Sequence, residues 1–594
     1  MCGINGFNFK DDELIVKMSS YTRSRGPDYT DYFKSVNYSV SHNRLAIIDP
    51  EDRSNQPFRF KNLILSFNGE IYNFLELKEK LINKGYNFTT NSDTEVIIKL
   101  FYEYKEESFK FLSGIFALSI YDTETNNLYL IRDHVGVKPL YYYFDPKNNK
   151  FAYSSLIKPL LLVSDERKLN EEAINYYSNF IRNDLRETFY KNIFKVLPGE
   201  LILFENKKIK KKNFLTFNFE KKFQKKDFKN DIKNFFSKQF ISDVPVALSL
   251  SGGIDSNLIF NELLRKKKNQ FKCYSVFFKG SKKYSKDFSY AKNLCKMYDV
   301  KFQPVEVSYD SFLENFEKIV DIAEEPVANT NSISNLILSE VIEEKVLFSG
   351  DGGDEIFTGY DKYRSIYFFN LLKKFNIFKN IDFSIENKNF KRLFINDSRE
   401  MFLSFSEQNI SKNQSNVYKD YRSINNKDLD KILNHSKSFK NDPRLSNVML
   451  HEIDTWLQND ILLRNDKIYA NSGIEVRVPF LDKNIIEKYL MINEFHKYGI
   501  FFSYKNLLKK FFSKETKYSM KTKSGFNSPF ASWLRVELFD FAMNILDKNY
   551  YDSSNILNLQ ECKKLLKQHK NNYVDPFLIW SLISLQVFLK KNNF

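Results

Sequence analysis

Cysteine is scarce in this sequence: four in 594 residues, Cys2, Cys273, Cys295 and Cys562, with no CxxC pair among them. So scattered a set excludes a disulfide framework and a paired-cysteine redox or metal site. Long apolar runs are missing as well. A membrane-spanning helix needs about 18 apolar residues in a row, and the best stretch, Phe577 to Leu589, is shorter and broken by Ser581, Ser584 and Gln586. Met1-Cys2-Gly3-Ile4 lacks the basic region and apolar run of a secretory signal. No internal repeat of fixed period is present. These absences together predict a reduced, cytoplasmic protein with no membrane segment.

What is present is a long, lysine-rich chain of globular composition. The 90 Lys+Arg against 74 Asp+Glu give a net charge of +16. Lysines are spread along the chain, which argues for a compositional bias rather than a nucleic-acid surface, so no nucleic-acid partner is expected. The densest cluster, Lys207 to Lys212 and then Lys221 to Lys229, reads as a solvated linker over residues 206–230. It separates a first domain, 1–205, from a second, 231–594, as the length requires.

The two halves differ in rhythm. In the first, short apolar runs alternate with turn residues and a few helices, an α+β pattern. Leu63 to Phe67 reads as a strand entering a turn at Asn68-Gly69; Phe74, Leu77 and Leu81 recur at helical spacing; Ser92 to Glu95 fits a capping box; Phe116 to Tyr121 and Leu128 to Ile131 read as paired strands. In the second half, strands at Val244 to Leu250, Cys273 to Phe278 and Lys345 to Phe348 alternate with helices. That alternation predicts a parallel sheet whose ligands sit at the carboxyl ends of its strands. The remainder is mostly helical, and Leu371 to Ser446 carries no recognisable chemistry.

Position 2 offers a self-contained reactive group. Removal of Met1 would leave a thiol and a free α-amine on one residue. An α-amine titrates near 7.7–8.0, so it can serve as base for its own side chain. Acyl transfer from an amide also needs donors for the developing oxyanion, and Asn68-Gly69 supplies a side-chain amide and a backbone N–H. Arg44, Glu70 and Asp93 carry the opposite charges that an amino-acid substrate needs. Each has a plain structural alternative: a hairpin turn at Asn68-Gly69, a helix N-terminus at Asp93, a surface ion pair at Arg44.

Taken in order, Met1-Cys2-Gly3-Ile4, Arg25-Gly26-Pro27-Asp28, His42 to Asp49, Asn68-Gly69-Glu70-Ile71-Tyr72-Asn73, Ser92 to Glu95 and Arg132 to Tyr141 resemble the glutaminase domain of class II glutamine amidotransferases. The resemblance implies an Ntn-hydrolase-type αββα sandwich in which the processed cysteine attacks glutamine, forms a thioester and releases ammonia. It implies Cys2 as nucleophile, Asn68 and Gly69 as oxyanion hole, and Arg44, Leu45, Ala46, Ile47, Ile48, Asn68, Gly69, Glu70 and Asp93 as the glutamine pocket. Ser24 departs from the family, which usually has histidine there.

In the second half, Ser251-Gly252-Gly253-Ile254-Asp255-Ser256 lies between a strand and a helix. Such a loop presents backbone N–H groups and a helix dipole to phosphate. It is no Walker loop, since no Gly-Lys-[Ser/Thr] follows. Asp255 fits a Mg²⁺ ion accompanying the pyrophosphate, and Asp354 can supply a second carboxylate.

With Glu324-Glu325-Pro326, Ser349 to Tyr360, Gly473 to Asp482 and Lys523-Ser524-Gly525-Phe526, this half resembles the synthetase domain of asparagine synthetases, of the ATP-pyrophosphatase superfamily. The resemblance implies an α/β fold of the adenine nucleotide alpha hydrolase type and ATP contacts from Leu250, Ser251, Gly252, Gly253, Asp255, Ser256, Val276, Ser349 and Gly350. It implies Mg²⁺ contacts from Asp255 and Asp354, a charge-neutralising role for Lys505, and a catalytic role for Asp351, where some members have glutamate. Lys505 otherwise reads as a solvated helix lysine, and Glu475 with Arg477 as a structural ion pair.

The family reaction joins glutamine, aspartate and ATP, with ammonia passing inside the protein, and family members are often dimers. Two rivals stand beside it: amidation of another carboxylate, such as a sugar acid or natural-product acid, and a tRNA-modifying enzyme of the same superfamily.

Overall fold

The computed structural model describes the chain other than residues 165–166, 220–222, 280–284, 375–394, 396, 407–411, 425–427, 429–430, 432–443, 500–501, 520–527, 549, 551–552, 572–573 and 594. Lys523 to Phe526 and most of the uncharacterised stretch 371–446 therefore lie outside the described residues.

The first half forms two antiparallel sheets. Its strands are β1 (Gly3–Phe7), β2 (Tyr29–Lys34), β3 (Ser39–Arg44), β4 (Phe58–Phe60), β5 (Leu63–Ile71), β6 (Gly114–Asp122), β7 (Leu128–Arg132), β8 (Tyr141–Asp145), β9 (Lys150–Ser154), β10 (Ile193–Lys195), β11 (Glu200–Glu205) and β12 (Lys208–Asn213). One sheet runs β10-β8-β9-β1-β3-β2 and the other β12-β11-β7-β6-β5-β4. Strand periodicity sorts the side chains into layers. On β5, Ile64 joins Ile4, Val40, Leu130 and Phe151 between the sheets. Leu63, Leu65 and Phe67 face the other way, against Leu77, Leu81, Val96 and Leu100 of the helices Phe74–Ile82 and Asp93–Tyr104. The helix Asp12–Thr22 covers the other sheet with Ile15 and Met18. The result is the αββα sandwich.

Three local expectations are corrected. Asn68-Gly69 is no turn: β5 continues through both to Ile71, paired with β6 as Asn68↔Ala117 and Gly69↔Phe116. Apolar pairing on both faces carries the strand past the dipeptide. The lysine cluster is not a linker over its whole length either, because Lys208–Asn213 is β12, an edge strand on β11, and a helix opens at Phe228. Lysine suits an unpaired edge, where its charge blocks further strand addition. At the second helix of this half, the Ser92 hydroxyl caps the Thr94 N–H, but Glu95 turns to Thr89, Thr90 and Lys99 rather than completing a box.

The second half carries a five-stranded parallel sheet of β13 (Val246–Ser249), β14 (Lys272–Phe278), β15 (Lys301–Val307), β16 (Val346–Phe348) and β17 (Glu475–Arg477), ordered β15-β14-β13-β16-β17. The order reverses at β13, the strand that feeds the Ser-Gly-Gly loop, and such a switch point opens a crevice for ligand. Phe577 to Leu589 lies in the helix Pro576–Asn592, buried from Leu578 to Leu589 in the protein's own core. Among the described residues no helix is long and apolar enough to cross a membrane.

Candidate active site

Cys2 immediately precedes β1, a central strand of its sheet, and is 8% exposed. Its backbone N–H donates to Asn68 Oδ1 at 2.9 Å. That bond fixes the amide's orientation and leaves Asn68 Nδ2 buried without a partner beside the thiol's residue. An orphaned donor there is the kind of group that an oxyanion can satisfy. Gly69 has φ 142°, and a Cβ on it would lie 2.0 Å from the Ile115 carbonyl oxygen, so only glycine fits beside β6. Burial pushes the Cys2 thiol up, against the pull of the nearby N-terminal ammonium. The ammonium of Met1, itself buried, is lowered to about 5 by the same desolvation.

The other expected glutamine-pocket residues divide. Leu45, Ala46 and Ile47 are buried, and the Cys2 sulfur lies 4.0 Å from the Leu45 carbonyl oxygen. Ile48 is half-buried. Asp93 is held by the Ile71 N–H at 2.9 Å, and burial pushes its carboxyl up to about 6. Arg44 is buried and is no surface ion pair; its guanidinium donates to Glu51 O, Asp49 O and Asn55 Oδ1 and so holds the loop after β3. Glu70 pairs with Arg477 of the second half at 3.2 Å.

The Arg132-to-Tyr141 motif explains itself through geometry. Buried Arg132 donates to Lys138 O, Val196 O and Gly136 O, while Asp133 accepts from the N–H groups of Val135, Gly136, Val137 and Lys138. The rigid loop sends Lys138, 0% exposed, toward Glu475 at 3.6 Å and Asp466 at 3.8 Å.

In the second half a cavity of about 480 Å³ opens at the carboxyl ends of β13, β14 and β16. Leu250, Ser251, Gly253, Asp255, Ser256, Val276, Ser349 and Gly350 line it, as do Asp351, Asp354 and Lys505; Gly252 stands behind, against Asp287 O. Lys505 is no solvated lysine: it is 7% exposed and ion-paired to Asp255 and, at 2.5 Å, to Asp354. The carboxylates seat against two glycines: a Cβ on Gly353 would lie 2.5 Å from Asp255 Cγ, and one on Gly359 1.6 Å from Asp354 Oδ1. Two carboxylates facing a phosphate-binding loop suit Mg²⁺, which takes few protein ligands and shares phosphate oxygens. Asp351 accepts from the Ser349 hydroxyl at 2.9 Å and Asn465 at 3.2 Å, and burial raises its pKa.

Sequence reading missed the segment that joins the two sites. It comprises the π-helix Ile453–Leu462 and the helix Leu463–Asn471 that continues it. Asn465 faces Asp351, while its neighbour Asp466 receives Arg25 at 2.7 Å, and Arg25 Nε donates to the Cys2 carbonyl at 3.1 Å. One helix thus touches both sites with consecutive residues. Nearby, Lys467 pairs with Glu324 at 2.9 Å, and Glu324 accepts from the N–H groups of Ile157 and Lys158 in the first half. The available signal was the density of polar side chains, Asp454, Gln458, Asn459, Asp460, Arg464, Asp466 and Lys467, all buried in a helical stretch. Buried charge of that density marks a functional or interface element.

Residues 1–215 match the family described as glutamine amidotransferase domain, and residues 228–590 the family described as asparagine synthase. Asparagine synthetase [glutamine-hydrolyzing] 1 of Bacillus subtilis is 27% identical over 99% of this chain and 97% of its own length. Putative asparagine synthetase [glutamine-hydrolyzing] 2 of Methanocaldococcus jannaschii is 30% identical over 63% of this chain and 78% of its own. Amidase chry2 of Gibberella zeae is 29% identical over 57% of this chain and 54% of its own. Two family models that together cover nearly the whole chain, on a sandwich and a parallel sheet, leave one assignment. The chain belongs to the asparagine synthase family, ligases that use glutamine and ATP to form an amide.

Proposed function

We propose that the protein is a glutamine-dependent asparagine synthetase, with Cys2 and Lys505 at the centres of its two sites. The observation that carries this reading is the shared helix: Asp466 reaches the Cys2 carbonyl through Arg25, and Asn465 reaches Asp351 in the nucleotide cleft. Two half-reactions so joined suit an unstable nucleophile made at one and used at the other.

In the first site, loss of Met1 turns the Cys2 N–H into an amine that takes the thiol proton. The thiolate attacks the side-chain amide carbon of glutamine. The oxyanion accepts hydrogen bonds from Asn68 Nδ2 and the Gly69 N–H. Collapse expels ammonia, which leaves with the proton held by the α-amine, and water hydrolyses the thioester to glutamate. Leu45 to Ile48, Glu70, Asp93 and the loop held by Arg44 form the glutamine pocket.

In the second, the aspartate β-carboxylate attacks the α-phosphorus of ATP, and pyrophosphate leaves with both bonding electrons. The Ser251–Ser256 loop holds the pyrophosphate. Lys505 offsets its charge and is itself held by the two aspartates. Mg²⁺, with Asp255 and Asp354 as its protein ligands, would supply further neutralisation of the leaving group. Ammonia then attacks the acyl carbon of aspartyl-AMP, giving asparagine and AMP, beside Asp351 and Asn465.

The test is an acceptor screen with glutamine and ATP, following pyrophosphate release. Aspartate should release pyrophosphate and yield asparagine in equal amount. Release with another acid and none with aspartate would replace the acceptor while leaving the amidating chemistry in place.

A further inference from the structure

A second cavity of about 320 Å³ adjoins the nucleotide cleft, with Asn329, Asn331, Trp456 and Asp460 lining both. Its walls are aromatic, with Phe180, Trp456, Phe530 and Phe577, and Arg182 of the first half lines it as well. Arg182 is 8% exposed, and its guanidinium carbon lies 5.4 Å from the Phe180 ring centre and 5.8 Å from that of Trp456. Asp184 accepts from Nε at 3.0 Å and is itself held by Asn459 at 3.3 Å. That leaves Nη2 buried with no partner. Asn331 Oδ1, on the wall shared by both cavities, is likewise buried and unbonded. Asp460, the acid on this wall, is already paired with Arg464 and accepts from Asn329 at 2.8 Å.

A guanidinium fixed at Nε by Asp184, with its carbon 5.4 and 5.8 Å from two aromatic ring centres, presents its remaining edge in one direction. Such an edge matches a planar carboxylate better than any neutral group. We infer that Arg182 binds a second carboxylate of the acceptor, so that the acid amidated in the cleft is a dicarboxylic acid, reacting at Asp351 with one end and anchored in the aromatic chamber with the other. Asn331 is placed to accept from a donor on the same acceptor, such as an α-ammonium group. This rests on the reading of the cleft as the amidating site and deepens it: Arg182 becomes the residue that selects the acceptor. The sandwich half thereby contributes a wall of the synthetase pocket.

The experiment uses the full chain with ammonia and ATP and measures pyrophosphate release. Wild-type protein should prefer aspartate over its α-amide, which keeps the reacting carboxylate and lacks the second, by about 100-fold in kcat/KM. Arg182→Lys keeps a charge for Asp184 and loses the fork. It should raise KM for aspartate at least 30-fold, change kcat far less, and leave KM for ATP and glutamine hydrolysis alone. Equal use of aspartate and its α-amide by wild type, or an unchanged KM in R182K, would overturn the inference while the amidating reading stood. If the screen instead finds another acid, the same comparison is made with that acid and its monoamide, and a monocarboxylic acceptor overturns the inference. If no acid is turned over, the reading of the cleft has failed. Arg182 is then judged by equilibrium dialysis of labelled succinate: binding that R182K abolishes supports the carboxylate site, and binding that is absent or unchanged overturns it.

Discussion

Arg25 and Asp466 meet across the boundary between the two halves at 2.7 Å, one 1% and the other 2% exposed. Neither charge has solvent to fall back on. Arg25 also donates to the Cys2 carbonyl, and Lys138 completes the surroundings of Asp466. The pair therefore ties the Cys2 backbone to the helix that walls the cavity at the ends of β13, β14 and β16. The next ring of the same network, Glu475–Arg477–Glu70, ties β5 of the first half to β17. A buried pair of this kind adds little net stability over an apolar one but is costly to break from one side.

Asp466→Asn should leave Arg25 as a buried cation without its carboxylate and Lys138 with Glu475 alone. The expected loss is about 3–5 kcal/mol, read as a lower urea midpoint. In folded enzyme the ratio of glutamate formed to amide formed should rise above one, since the two sites would no longer hold one another in register. A ratio that stays at one would show that the pair is only mechanical glue.

Cys2→Ala removes the thiol and keeps the backbone bond to Asn68. Glutamine-dependent product formation should fall at least about 10³-fold, while ammonia-dependent formation persists. Intact-mass measurement of the active wild-type protein should find Met1 absent. Full glutamine-dependent activity with Met1 retained would remove the self-activated amine from the mechanism.

Lys505→Met takes the cation from between Asp255 and Asp354. Pyrophosphate release should drop by about 10²–10³-fold, the usual loss for one preorganised electrostatic group. Glutamine hydrolysis measured without an acceptor should be unaltered, because the change lies wholly within the second site.

His42, on β3, is fully buried with Nε2 at 3.0 Å from Phe67 O, and burial lowers its pKa to about 3. The unfolded chain takes up a proton near pH 6.5, the native state only near 3. Between those values the unfolded state binds more protons, so stability is full above pH 6.5 and falls as the pH drops, by about 1.4 kcal/mol per unit for this one group. His42→Gln should flatten the dependence of the urea midpoint over that window by one proton's worth. An identical slope would mean that the ring is charged in the native protein.

Much of the architecture was legible along the chain. The short apolar runs at Leu63–Phe67 and Leu128–Ile131, the helical spacing of Phe74, Leu77 and Leu81, and the buried-type strands before Ser251 and Ser349 report local burial, and local burial is what hydrophobic patterning encodes. What misled was punctuation. Asn68-Gly69 has the chemistry of a turn, yet pairing with β6 on one side and a dense core on both faces outweighed that preference. The lysines of β12 look solvated and are; an edge strand is solvated too.

By itself, the order of residues determined the reactive groups: a cysteine behind the initiator methionine, an amide-glycine pair, a serine-glycine loop and two aspartates, each recognisable because its chemistry needs particular side chains within a few positions. Only the tertiary structure decided how they are joined. Arg25, Asp466, Arg477, Glu70 and Arg182 owe their roles to partners hundreds of residues away, or to a cavity that no single segment encloses. A charge becomes costly, and hence informative, only once folding has withdrawn water from it, and which charges lose their water is set by the packing of the two halves against one another.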